Sequence, residues 1–162
     1  CALPIFADYG YCVSPDECWL ALRGLRTLGV RLRHQQAAGL RIARWLEGRA
    51  EVQRVLHPAL DSDPGHALWK RDFTGAPAVF GIVLQPVAWE AVAKFLNALE
   101  VFAIGVSWGG YESLAIRIDP TRIRTATRWN PGGPLVRLQI GLEDPDDLIA
   151  DLERGFAALH AK

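Results

Sequence analysis

The chain has 162 residues, half of them hydrophobic, which is the size of one domain with a sizeable core. Lys and Arg (18) balance Asp and Glu (18), so the formal net charge is zero. That argues against nucleic acid or an anionic membrane as the main partner, because both need a basic footprint. No apolar run reaches membrane-spanning length, and the start, Cys1-Ala-Leu-Pro-Ile-Phe6, has no signal-peptide pattern. Three cysteines, Cys1, Cys12 and Cys18, lack metal-type clustering and predict free thiols in a reducing, cytoplasmic compartment. The chain begins at Cys1 and contains no Met, so a piece of a longer polypeptide is expected.

After an irregular apolar start, Ser14-Pro-Asp-Glu17 reads as a capping box with Pro at the first helical position. It predicts a short helix to about Arg23, weakened at Gly24. A longer helix follows from Arg26 to about Gly48, with Leu28, Leu32, Gly39, Ala43 and Leu46 on one face. Arg31, Arg33, Arg41 and Arg44 fall mostly off that face and are expected in solvent. Glu51 to His57 reads as a strand ended by Pro58, and Asp61 to Gly65 as a loop. His66 to Asp72 predicts a short helix, and Ala78 to Leu84 a largely buried strand.

Trp89 to Leu99 has helical periodicity in Val92, Phe95, Leu96 and Leu99. Strands are expected at Glu100 to Ile104 and Ser113 to Ile118, close enough to pair antiparallel. Asp119-Pro-Thr121 can start a short helical segment, and Asn130-Pro-Gly-Gly-Pro134 is a strong turn signal. Pro134 to Ile140 forms the last strand, with Val136, Leu138 and Ile140 on one face and Leu135, Arg137 and Gln139 on the other. Asp144-Pro-Asp-Asp147 then caps a final helix. The predicted fold class is α+β: a small, mostly antiparallel sheet with helices packed on one side.

Between the two central strands lies Gly105-Val-Ser-Trp-Gly-Gly-Tyr-Glu-Ser-Leu114. Locally it reads either as a hairpin connection around a packed tryptophan or as a loop presenting Ser107 and Trp108 to a ligand. Gly109 and Gly110 permit positive φ there. Arg137 is unusual: a lone arginine in an apolar strand needs either an internal carboxylate, such as Glu112 or Glu143, or a ligand carboxylate held by its fork. The four histidines, His34, His57, His66 and His160, form no ligand pair, and helix capping accounts for the acidic run from Glu143 to Asp147. No metal site is expected.

Five blocks in order resemble the Cys/Met-metabolism family of pyridoxal-phosphate enzymes. They are Ser14 to Arg33, His57-Pro-Ala-Leu60, Gly65-His-Ala-Leu-Trp-Lys-Arg-Asp-Phe-Thr-Gly75, Ser107-Trp-Gly-Gly-Tyr-Glu-Ser-Leu114, and Leu135-Val-Arg-Leu-Gln-Ile-Gly-Leu-Glu-Asp144. The match resembles the bacterial β-cleaving branch most, although Val106 stands where many of those members carry Tyr. The resemblance implies the C-terminal part of a fold-type-I enzyme that cleaves L-cystathionine to homocysteine, pyruvate and ammonia in methionine biosynthesis. It implies residues 1–25 as the end of the large domain or a linker, residues 26–162 as the C-terminal small domain, and a homotetramer in the intact enzyme. Arg137 would hold the substrate carboxylate, Ser107 would help position the catalytic lysine and contact substrate, and Trp108 would wall the substrate pocket.

Lys70, Lys94 and Lys162 lack the family's Ser-x-Thr-Lys-like context. Pyridoxal 5′-phosphate and its lysine are therefore assigned to a preceding domain, with no cofactor-binding residue in this chain. Two alternatives stand beside this reading. One is a γ-lyase, γ-synthase or other carbon–sulfur lyase of the same family. The other is a non-catalytic α+β fragment or interaction domain.

Overall fold

A computed structural model describes residues 8, 10, 13–122 and 124–160. The chain divides into two compact units, residues 1–33 and 34–162.

The first unit is built on the capping box. Ser14 Oγ accepts from the Glu17 N–H at 3.2 Å, and the Glu17 carboxylate accepts from the Ser14 N–H at 2.6 Å. These reciprocal bonds satisfy donors at the start of helix α1, Pro15–Leu25. They hold the Glu17 carboxyl below its usual pKa. The helix continues past Gly24 to Leu25, two residues beyond the expected end, and none of its residues is buried. Arg31 supports the helix end by donating to the Gly24 carbonyl at 2.7 Å. Cys18 is a free, exposed thiol; Cys1 and Cys12 lie outside the described residues.

Helix α2, Leu28–Glu47, carries its apolar stripe in its second half, where Ala38, Gly39, Ile42, Ala43 and Leu46 are buried. Leu32, expected on that stripe, is exposed. The strands of the second unit are β1 (Val52–Leu56), β2 (Val79–Leu84), β3 (Ala103–Ile104), β4 (Leu114–Ile118) and β5 (Leu135–Gln139). The helices among them are α3 (His66–Asp72), α4 (Trp89–Asn97) and α5 (Pro145–Leu159), with a 3₁₀ turn at Pro120–Arg122. The sheet order is β1-β2-β5-β4-β3, which puts β5, the last strand in sequence, at the centre.

One face of the sheet presents Val55, Phe80, Ile82, Val136, Leu138 and Ala115. Against it pack Ile42 and Leu46 of α2, Phe95 of α4, and Leu148, Leu152 and Phe156 of α5, forming one core. Two close approaches make this packing possible. A Cβ at Gly39 would lie 3.2 Å from the Ala78 Cα, and one at Gly155 would lie 2.8 Å from the Phe95 ring. The result is the expected α+β layer, mostly antiparallel with helices on one side.

The pairing of β3 with β4 differs from expectation: it is parallel, Ala103 opposite Leu114 and Ile104 opposite Ala115. The predicted strand from Glu100 shrinks to two residues because its first amides are used elsewhere. The buried Asp151 carboxylate of α5 accepts from the N–H groups of Glu100, Val101 and Phe102 at 2.8–2.9 Å. Three successive donors on one carboxylate form an anion-binding turn rather than a ladder edge. The stretch 105–113 is then a connection between parallel neighbours, not a hairpin.

Candidate functional site

The site residues come together through the register of β5. Arg137 lies opposite Gly81 of β2 on one side and Ile116 of β4 on the other. Alternation directs Val136 and Leu138 into the core and Arg137 to the opposite face of the sheet. There the guanidinium reaches the loop that joins β3 to β4. Arg137 Nη2 donates to the Ser107 carbonyl at 2.8 Å and to the Gly105 carbonyl at 3.2 Å. Its Nε is buried with no hydrogen-bond partner. The internal-carboxylate alternative is not realised, because these bonds go to main-chain oxygens rather than to Glu112 or Glu143.

A buried guanidinium N–H without an acceptor is costly and asks for an anion. A carboxylate suits it, since the planar fork matches two oxygens at once.

Ser107 and Trp108 follow directly. Trp108 is 67% exposed, and Val106 and Tyr111 of the same loop are 75% and 67% exposed. The tryptophan is therefore presented at the surface rather than packed. Of the two glycines, Gly109 uses its conformational freedom at φ +79°. Gly110 instead supplies a carbonyl, which accepts from the buried Gln35 of α2 at 2.7 Å.

The far end of the loop is tied by Glu143, which the sequence placed in the capping run or as an internal partner of Arg137 and which serves neither role. Glu143 accepts from the Ser113 N–H at 2.8 Å and from the Ser113 hydroxyl at 2.7 Å. That hydroxyl in turn accepts from the Gly141 N–H at 2.8 Å. Leu142 N–H donates to the Tyr111 carbonyl at 2.8 Å. Asp144 alone does the capping, accepting from the Asp146 N–H at 2.8 Å. Periodicity could not separate Glu143 from its acidic neighbours, because its partner lies 30 residues away.

Gln139, placed by alternation on the face of Arg137, was given no role by the sequence. It is 1% exposed, two residues from Arg137 on the same face, and its Oε1 has no partner. An amide in a strand of alternating apolar residues carries no signal of its own.

Lys94 is exposed on α4, whose buried residues Val92, Phe95 and Leu96 join the core under the opposite face of the sheet. Lys70 is exposed in the last turn of α3, and Lys162 lies outside the described residues. No group of three or more His, Cys, Asp or Glu residues among the described residues could hold a metal ion. None of the described helices is long and apolar enough to cross a membrane. A cleft of about 440 Å³ lies between β1 and the segment before β5, lined by Gln53, Arg54, Leu56, Arg128 and Trp129 among others, and contains none of Arg137, Ser107 and Trp108.

A family model described as Cys/Met metabolism PLP-dependent enzyme matches residues 4–157. A protein from Rhizobium johnstonii is 53% identical over 156 residues, covering 94% of this chain and 39% of the relative. The cystathionine beta-lyase of Salmonella typhimurium is 48% identical over 154 residues, covering 93% of this chain and 39% of the relative. An L-alanine/L-glutamate racemase of Wolbachia pipientis is 39% identical over 156 residues, covering 95% of this chain and 39% of the relative. The chain thus spans 39% of the length of these curated relatives.

Proposed function

Because the chain belongs to the family of Cys/Met metabolism PLP-dependent enzymes, we propose that it is the C-terminal part of a carbon–sulfur β-lyase. In this reading the intact enzyme cleaves L-cystathionine to homocysteine, pyruvate and ammonia. This segment supplies the half of the site that holds the substrate carboxylate. The observation that carries the reading is the buried, unpartnered Nε of Arg137, beside a loop that presents Ser107 and Trp108.

Pyridoxal phosphate, in this family, supplies an electron sink for negative charge at the substrate Cα. The described residues do not make a site for it. Lys70 and Lys94 are exposed on helices, and the one buried orphan donor belongs to an arginine suited to a carboxylate. The cofactor and its lysine are accordingly assigned to the part of the relatives' length that this chain does not span.

The contribution of this chain is orientation. Arg137 grips the α-carboxylate by charge-assisted hydrogen bonds, which fixes the rotation of the substrate about its Cα. Ser107 brings a hydroxyl to the same edge, where it can hold a neighbouring amine in register. Trp108 offers a flat apolar face to the thioether arm of the substrate and excludes water from it. A homotetramer and a cytoplasmic location belong to the same reading.

Product analysis tests it. The intact polypeptide carrying this segment, given L-cystathionine, should release pyruvate and homocysteine in equal amounts. Cysteine with 2-oxobutyrate would instead place it with γ-cleaving relatives. The Wolbachia relative supports a second activity class on the same scaffold, and formation of D-alanine from L-alanine without any keto acid would favour it.

A further inference from the structure

We propose that Glu143 is a positioning residue for the substrate site, acting through Ser113 on the loop that carries Ser107 and Trp108. The inference rests on the substrate-site reading above, but the observations behind it are independent of that reading.

The loop 105–113 is held at its start by Arg137, through the Gly105 and Ser107 carbonyls. Its end is held by Glu143, whose two carboxylate oxygens take the N–H and the hydroxyl of Ser113. Ser113 is fully buried, so both of its polar groups depend on protein partners. The Gly141 N–H completes the circuit by donating to the Ser113 hydroxyl. Gly141 has no room for a side chain, because a Cβ there would run into the Tyr111 carbonyl and the Glu143 carboxylate.

The bonds that Glu143, Ser113 and Gly141 make run among themselves, whereas those of Arg137 go to Gly105 and Ser107. The effect of Glu143 passes along the loop. With both ends fixed, the Ser107 carbonyl stays within reach of Arg137 Nη2, and the guanidinium keeps one orientation. Releasing the Ser113 end lets the loop drift and leaves the arginine without a fixed edge for the substrate carboxylate. Two charge-assisted bonds from Ser113 to Glu143 thus match, at the end of the loop, the two that Arg137 makes at its start. Glu143 touches no reacting atom; its role is preorganisation.

The test uses the intact enzyme with Glu143→Ala, Glu143→Gln, Ser113→Ala and the double variant Glu143→Ala/Ser113→Ala. Glu143→Ala should raise KM for cystathionine roughly tenfold, the loss expected for one charge-assisted contact, with cofactor absorbance kept. Glu143→Gln keeps an acceptor for the Ser113 N–H and should recover most of that loss. The double variant should be no worse than Glu143→Ala alone, because both changes break the same tie.

Amide hydrogen exchange gives a readout that does not depend on turnover. In Glu143→Ala, exchange should speed up in residues 105–113 and stay unchanged in β2. If the wild-type enzyme proves inactive on cystathionine, the function reading fails while this exchange pattern still decides the role of Glu143. An unchanged KM with kcat falling only in proportion to folded protein would overturn the proposal. So would faster exchange throughout the domain. Should Glu143→Ala fail to fold, Ser113→Ala with Glu143→Gln carries the same comparison.

Discussion

Arg137 Nη2 donates to the main-chain carbonyl of Ser107 at 2.8 Å, so the two residues are in direct contact across 30 positions of sequence. The arginine thus has two duties on one face of β5. It holds the loop, and it keeps a buried Nε free of partners. Each two-point edge of a guanidinium includes Nη2, paired with either Nε or Nη1. A carboxylate arriving at Arg137 must therefore share Nη2 with a loop carbonyl, and the longer bond, to Gly105 at 3.2 Å, is the one that yields more readily.

Arg137→Ala in the intact enzyme should raise KM for the amino-acid substrate roughly 10- to 100-fold while cofactor absorbance persists, as expected for a lost charged hydrogen-bond pair. Arg137→Lys should recover little, because an ammonium cannot hold two oxygens in plane. Steady-state kinetics with an absorbance spectrum of each variant checks this. An unchanged KM in Arg137→Ala would remove the arginine from carboxylate binding.

Asp151 should be among the most sensitive positions of the fold. It is 1% exposed and accepts from three backbone N–H groups, and its fourth partner is Arg154 Nη1 at 2.7 Å. Asp151→Ala strands those donors and should cost about 3–5 kcal/mol, the range for breaking a buried charged network. Asp151→Asn keeps one acceptor and should cost less. Urea unfolding of both variants measures the difference.

His57 gives the fold a pH dependence. Its ring is buried; Nδ1 accepts from the Ala59 N–H at 3.2 Å, so Nε2 carries the proton and donates to the Pro77 carbonyl at 3.3 Å. Burial pushes its pKa below the ordinary 6.5, against the pull of the Pro77 carbonyl. The unfolded chain therefore takes up a proton at a higher pH than the folded one. The stability from this ring is fully present above pH 6.5 and declines as the pH falls from there through the lower folded pKa. Denaturant midpoints measured from pH 8 to pH 5 should fall in the wild type. His57→Asn, which has no titrating group, should show a shallower decline over the same window.

Gly155→Ala tests the packing of α5 on α4. The added methyl would meet the Phe95 ring at 2.8 Å and Leu99 at 2.9 Å, both tighter than van der Waals contact. The gain in helix propensity is about 1 kcal/mol, whereas overpacking a filled core costs about 1–3 kcal/mol. We expect a net loss of stability, seen as a lower melting temperature; a higher one would mean that the helices separate freely.

The elements themselves were legible because their signals are local. Ser14 with Glu17 announced α1, Asp144 with Pro145 announced α5, and alternation from Leu135 to Gln139 correctly separated the core face from the face of Arg137. Order of blocks along the chain pointed to the family, and the comparisons bear this out. What the sequence could not determine depends on pairs distant in sequence. Asp151 draws three amides out of the ladder and leaves β3 only two residues, and the parallel pairing of those two with β4 is visible only in the folded chain. The exposure of Trp108, the contact between Arg137 and Ser107, and the hold of Glu143 on Ser113 follow from which strands became neighbours. Residue type and periodicity specify which face of an element is buried. Only the folded chain decides which polar groups meet there, because each such bond closes a loop of 30 or more residues that no local pattern records.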